Sequence, residues 1–157
     1  MIYRMFKRVR EISDVKFILL SVLICFIFNY LFIYIAGLFG INITDEIYIK
    51  DYNSFSIFMF ILITFIGPGI ETILLVYLVK IAKIIIKRNY IVAVLISIIF
   101  GALHYHSISY MLIASGIGYI YIFSYMFYPN KRFTSYKILF LIHSIYNCIS
   151  YITNIFK

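Results

Sequence analysis

Charge is scarce in this chain, and acid scarcest of all. Of 157 residues only 13% are charged, and just six are Asp or Glu. An ordinary soluble domain carries about 25% charged and 45–50% apolar residues, so a hydrophobic content of 64% excludes that class. The apolar runs are continuous and lack the two-residue alternation of a lipid-facing strand, which argues against a β-barrel. Internal repeats and low-complexity linkers are also missing. Cysteine is limited to Cys25 and Cys148. Both fall in apolar runs, so buried, inert thiols are expected unless the two adjoin.

What is present is a succession of runs long enough to cross a bilayer, which needs about 20 apolar residues each. Five spans are expected, near 17–38, 55–79, 90–105, 108–128 and 138–155. The expected fold is an all-α polytopic bundle forming a single membrane domain over 1–157, since one small bundle uses the whole length. Residues 1–16 read as a basic cytoplasmic tail and 17–38 as an anchor helix. The first run is longer than the apolar core of a signal peptide, and no small-x-small site clearly follows, so an uncleaved anchor is expected.

The net charge of +8 is explained by where the basic residues stand. Arg4, Lys7, Arg8, Arg10 and Lys16 precede span one. Lys80, Lys83, Lys87 and Arg88 follow span two, and Lys131, Arg132 and Lys137 precede span five. Twelve of the fourteen Lys and Arg residues thus fall on one side, leaving Lys50 and Lys157 opposite. By the positive-inside rule the N-terminus is cytoplasmic and the C-terminus outside. This asymmetry assigns the charge to topology and anionic lipid, and a nucleic-acid partner is not expected. An Asn42-Ile43-Thr44 sequon lies in the outer loop, with Asp45, Glu46 and Asp51.

Five of the six acidic residues lie in connecting segments; Glu71 alone lies within a span. An ionisable side chain at that depth costs roughly 2.5–3.5 kcal/mol to insert and ordinarily faces a polar partner or cavity. Gly67-Pro68-Gly69 stands immediately before it. Proline removes a backbone donor and the glycines loosen the helix, so a kink or break is expected there. Such breaks are tolerated where the freed backbone is buried in protein or lines a wet cavity. Glu71 would then occupy the first turn after the break, where the helix dipole favours an anion.

Partners for the carboxyl come from two other spans. His143 and Asn147, four apart, share one face of span five, and Phe100 and His104 have the same spacing on span three. At about 1.5 Å per residue, Glu71 and Asn147 lie at similar depths, roughly 14 and 15 Å from the nearest inner lysine, while His104 lies roughly 21 Å in. Each residue also has a bland reading. Either histidine can simply bond a carbonyl, and Asn147 can serve as interhelical glue. His106 reads as solvated, Asn29 as packing, and the Ala114 and Gly118 pair as a close helix contact. An unpaired carboxyl in lipid has no such cheap use, and a joint site of Glu71, His104, His143 and Asn147 is the reading that accommodates all four.

The ordered blocks Gly67-Pro68-Gly69-Ile70-Glu71-Thr72-Ile73-Leu74-Leu75-Val76, Phe100-x-x-x-His104 and His143-x-x-x-Asn147 resemble the CPBP intramembrane proteases. That family, named for CAAX proteases and bacteriocin processing, is also called Abi. The likeness spans residues 67–147, with a family-like core over about 55–155. One block departs from the pattern: where the family has Glu-Glu-x-x-x-Arg, Thr72 replaces the second Glu and Val76 the Arg. Those two charges would pair, so losing both leaves no orphan.

The resemblance implies a metal-independent glutamic endopeptidase without a cofactor. Glu71, helped by His104, would activate a water, and His143 with Asn147 would bond the oxyanion. Phe100 would pack against the imidazole. Glu71 and the two histidines also make a conceivable zinc set with water, but no His-Glu-x-x-His helix is present. The implied substrates are peptide leaders, bacteriocins, pheromones or membrane-anchored proteins, with membrane lipid as the other partner. Ile, Phe, Tyr, Lys and Asn enrichment suggests an AT-rich bacterial host, where bacteriocin maturation or self-immunity fits better than cleavage of prenylated tails. Substrate, cleavage position and oligomeric state are left open. Three rivals stand beside this reading: a non-catalytic immunity or partner-binding protein on the same fold, a proton-relay transporter (disfavoured by the lack of repeats), and a Cys148 protease, which needs an accessible, base-paired thiol.

Overall fold

The computed structural model describes residues 11–41, 56–129 and 131–155. The sequon, Asp45, Glu46, Lys50, Asp51, Lys157 and most of the basic tail lie outside the described residues. Among those described, every regular element is helical: α1 (Asp14–Leu38), α2 (Ile57–Ile61), a π-helical turn (Leu62–Ile66), α3 (Gly67–Ile85), α4 (Asn89–Ala102), α5 (Ile108–Phe127) and α6 (Ser135–Ile155). The helical bundle expected from the sequence is present. Four stretches, α1, Ile57–Ile85, α5 and α6, are long and apolar enough to cross a membrane, which marks a membrane protein. The fifth helix, α4, has only 14 residues, a rise of roughly 21 Å. It is shorter than expected because the chain leaves the helix at Leu103 to reach His104.

Local chemistry sets the helix starts. Ser13, Ser56 and Ser107 each have extended backbone and accept from an N–H three residues on, capping α1, α2 and α5. Helix α1 begins three residues earlier than expected, at Asp14, which is buried at 3% exposure. Its carboxylate accepts from the Tyr128 hydroxyl at 2.8 Å and from the backbone N–H groups of Lys131, Arg132 and Phe133 at 3.1, 2.6 and 2.7 Å. Phe17 stacks on Tyr128 with ring centroids 3.8 Å apart. The first turn of α1 is thereby pinned to the connection between α5 and α6.

Helices α4 and α5 form the most extensive contact, and small residues make it possible. A side chain at Gly101 would run into Met111 and Ser115 of α5, and one at Gly118 would meet the Phe100 ring. The close approach read from Ala114 and Gly118 is realised at Gly118, where the Phe100 side chain packs against the helix. Ile138, Leu139 and Ile142 of α6, Leu75 and Val79 of α3, and Val92 and Ile96 of α4 complete the buried core. Cys25 and Cys148 are both free thiols. Many large apolar side chains on α1 and α3 are exposed, among them Leu19, Leu23, Leu31, Ile70 and Ile73, as a surface that faces lipid tails requires.

Candidate functional site

Pro68 determines the local geometry around Glu71. Without an N–H it cannot continue the α-helical ladder, and its ring crowds the preceding turn. The chain responds by widening one turn: the Gly67 N–H bonds Leu62 O, five residues back, across the π-helical segment. The interruption is therefore a bulge inside a continuous helical stretch, a known solution where a ladder must be broken. Glu71 is the fifth residue of α3. It lies beyond the first turn, so the expected dipole contribution at a fresh helix start is not what positions it. Instead the bulge sets the rotation of α3, so that Gly67, Pro68 and Glu71 line a common cavity while Thr72, Leu75 and Val79 point into the core.

The widened turn frees a carbonyl. Ile63 O loses Gly67 as donor, and the next candidate in the π pattern is Pro68, which has none. Asn147 Nδ2 donates to Ile63 O at 3.1 Å. One of the two amide N–H groups of Asn147 is thus committed to the backbone, and the other is free for a second role. The interhelical-glue reading describes this bond, and the same side chain also lines the cavity beside Glu71.

His104 is held in the same manner. Beyond α4 its backbone N–H turns to Gly101 O at 2.9 Å, and its ring Nδ1 lies 2.8 Å from Phe100 O. A carbonyl only accepts, so Nδ1 carries the proton and Nε2 faces the cavity. The depth mismatch expected from helix counting does not arise, because the ring folds back over the end of α4.

Glu71 Oε2 stands 3.6 Å from His143 Nε2 and 4.0 Å from His104 Nε2. Both gaps exceed hydrogen-bond length. The three side chains are graded in exposure, at 4% for His143, 22% for His104 and 36% for Glu71. Oε2 of Glu71 and Nδ1 of His143 are buried without a hydrogen-bond partner, and unsatisfied polar atoms of this kind are rare enough to mark a functional place. Among the described residues no three His, Cys, Asp or Glu side chains are arranged to hold a metal ion.

Aromatic rings fix the imidazoles. Phe100 lies 4.6 Å from the His104 ring and 6.0 Å, edge-on, from that of His143, which is the packing role read from its spacing. Tyr121 lies 4.6 Å from His143, and Tyr110 stands edge-on to His104 at 5.5 Å. The sequence singled out neither tyrosine; Tyr121, at i−3 from Ser124 on an apolar helix rich in tyrosine, carries no distinguishing signal. His106 is exposed, as expected.

The cavity, about 440 Å³ in volume, is lined by Glu71, His104, His143 and Asn147 together. All four residues singled out from sequence meet in one place. Asn29, read as packing, also lines this cavity, and its Oδ1 is buried with no hydrogen-bond partner. The available signal was a lone amide in an otherwise apolar span. Thr72, standing where the resemblance has a second Glu, is fully buried with an unpartnered hydroxyl, and Val76, four residues on, packs against the core. Comparison of the chain with family models, curated proteins and solved structures returned no match.

Proposed function

We propose that this protein is a membrane-embedded endopeptidase of the CPBP type, in which Glu71 and His104 activate a water for attack on a peptide bond. The observation that carries the proposal is the convergence of one carboxylate on two imidazoles, at 3.6 and 4.0 Å, in a cavity among membrane-length helices. Glu71 takes a proton from the water while its oxygen bonds to the scissile carbonyl carbon. The carbonyl electrons move to oxygen, and the resulting oxyanion accepts from His143 and from the second N–H of Asn147. Collapse of the intermediate breaks the C–N bond, and the proton taken up by Glu71 passes to the leaving amine, directly or relayed through Nε2 of His104. General-base catalysis of this kind contributes typically 10²–10⁴-fold, and each oxyanion donor roughly 3–4 kcal/mol.

The asymmetry of the basic residues supports a cytoplasmic N-terminus and an outer C-terminus. Composition favours a bacterial cell membrane, and with it leader peptides, bacteriocins, pheromones or membrane-anchored proteins as substrates, or self-immunity to a bacteriocin. A second reading, a non-catalytic immunity or partner-binding protein, draws support from the committed Asn147 amide and from Thr72 and Val76 in place of an ion pair.

One experiment separates the two readings. Wild-type protein, Glu71→Gln and His104→Ala are co-expressed with candidate secreted peptides, and the products are mapped by mass spectrometry. Loss of cleavage by at least 100-fold in both variants, with membrane insertion unchanged, is the expected result. Cleavage or immunity that persists in both variants overturns the hydrolytic mechanism.

A further inference from the structure

The cavity is placed unevenly along the bundle. The connections from α3 to α4 and from α5 to α6 share one end, where Lys80, Lys83, Tyr125 and Ser135 line a separate cleft. Between Glu71 and that end lie roughly 14 Å of α3. That length is occupied by packed side chains of Leu75, Val79, Ile96, Ile138, Leu139 and Ile142, each at most 2% exposed. None of these six lines the cavity. On α5 the lining positions stop at Tyr121, and on α1 they begin only at Phe26. Towards the basic end the site is sealed by apolar packing.

The opposite direction differs in chemistry. His143, Asn147, Ser150 and Asn154 recur at helical spacing along one face of α6. All four line the cavity, which continues to the last turn of that helix. From His143 to Asn154 is roughly 16 Å. Ile149, on another face of α6, is exposed and does not line it. A hydrocarbon tail lying against the polar stripe would leave amides and a hydroxyl without partners, whereas water satisfies them. The cavity volume of about 440 Å³ has room for on the order of ten waters. Ionisable groups at membrane depth characteristically face water-filled cavities of this kind.

Hydrolysis consumes water, so a site at this depth needs a supply of it. Resting on the hydrolytic reading above, we infer that water reaches Glu71 along the polar face of α6, from the end of the bundle remote from the basic residues and from that end alone. Catalysis is then one-sided. The scissile bonds within reach are those of peptides that enter the half of the membrane remote from the basic surface, and a bond held at the basic surface is not cut.

The test is thiol labelling of full-length protein in sealed vesicles of both orientations. The reagent is a charged, membrane-impermeant methanethiosulfonate, and mass spectrometry maps the labelled residue. Cys25 and Cys148, neither of which lines the cavity, serve as internal controls. Ser150→Cys is expected to react roughly tenfold or more faster than Ile149→Cys, its neighbour at the same depth, because charge is kept out of hydrocarbon. Asn154→Cys, nearer the helix end, is expected to react faster still. Lys83→Cys marks the basic side and is expected to label only in the orientation that protects Ser150→Cys. Where peptide is cleaved, the label on Ser150→Cys is expected to lower kcat/KM roughly tenfold or more. Labelling of Ser150→Cys and Asn154→Cys no faster than of Ile149→Cys assigns the cavity to lipid and overturns the inference. Labelling of Ser150→Cys from the same side as Lys83→Cys, or undiminished cleavage by the labelled protein, overturns it too. Labelling needs no turnover: the expected pattern in a protein that cleaves no peptide overturns the hydrolytic reading and leaves the water path standing.

Discussion

At the residue scale, Thr72 is the informative position beside Glu71. Its side chain is fully buried and its hydroxyl has no partner. An unpaired buried hydroxyl costs about 1–3 kcal/mol, while its apolar isostere is neutral or stabilising. Thr72→Val is therefore expected to leave unfolding in detergent unchanged or shift it upward. Thr72→Glu buries a lone carboxylate and is expected to destabilise by about 3 kcal/mol or more, in line with breaking a buried pair. Adding Val76→Arg, one turn along the same face, is expected to recover part of that loss. Thermal unfolding of the three variants checks this. A Thr72→Glu protein as stable as the wild type would show that the position is open to water, contrary to its burial.

At the element scale, the bulge before Gly67 and the close contact of α4 with α5 create the site. Pro68 frees Ile63 O, and Asn147 takes it. The two residues are thus coupled through one carbonyl, although 79 positions separate them. Asn147→Ala is expected to destabilise by about 1–3 kcal/mol. In a Pro68→Ala background the new N–H can serve the carbonyl, so the same change is expected to cost less, with a coupling of about 0.5–3 kcal/mol in a double-mutant cycle. Strict additivity would disprove the shared carbonyl. Gly118→Ala tests the other element contact. The added methyl would stand 2.5 Å from the Phe100 ring, and Phe100 packs on both imidazoles. Lower thermal stability and slower cleavage are expected together, and a variant with neither effect would uncouple this contact from the site. The sequence announced the interruption through Gly67-Pro68-Gly69, but not its form. A proline specifies that a ladder bond is missing; whether the chain kinks, breaks or widens depends on which donor reaches the freed carbonyl, here one from a distant helix.

At the scale of the whole molecule, the bundle, its long spans and the four converging polar side chains were legible in the sequence, because burying an ionisable group in lipid leaves few alternatives. The function of α1 was not legible, since an apolar anchor and an apolar cavity wall have the same composition. In the structure α1 packs on both α5 and α6, with Phe28 against Gly116 and Phe26 against Tyr146, and it closes one side of the cavity. Its register is set at Asp14, whose carboxylate gathers Tyr128 and three successive backbone N–H groups. Charge-assisted bonds contribute more than neutral ones, and Asp14→Ala abandons four donors at once, at a cost of about 3 kcal/mol or more. Asp14→Asn keeps the shape but supplies one acceptor oxygen for four donors, and is expected to fall between alanine and the wild type. The effect should reach the cavity, because a loosened first turn lets α1 slide along α6 and move Asn29 away from Glu71. Expected together are lower thermal stability, faster protease access to the connection between α5 and α6, and a raised KM. If Asp14→Ala loses stability with KM unchanged, α1 is an anchor after all, and the groove beside it is formed without that clamp.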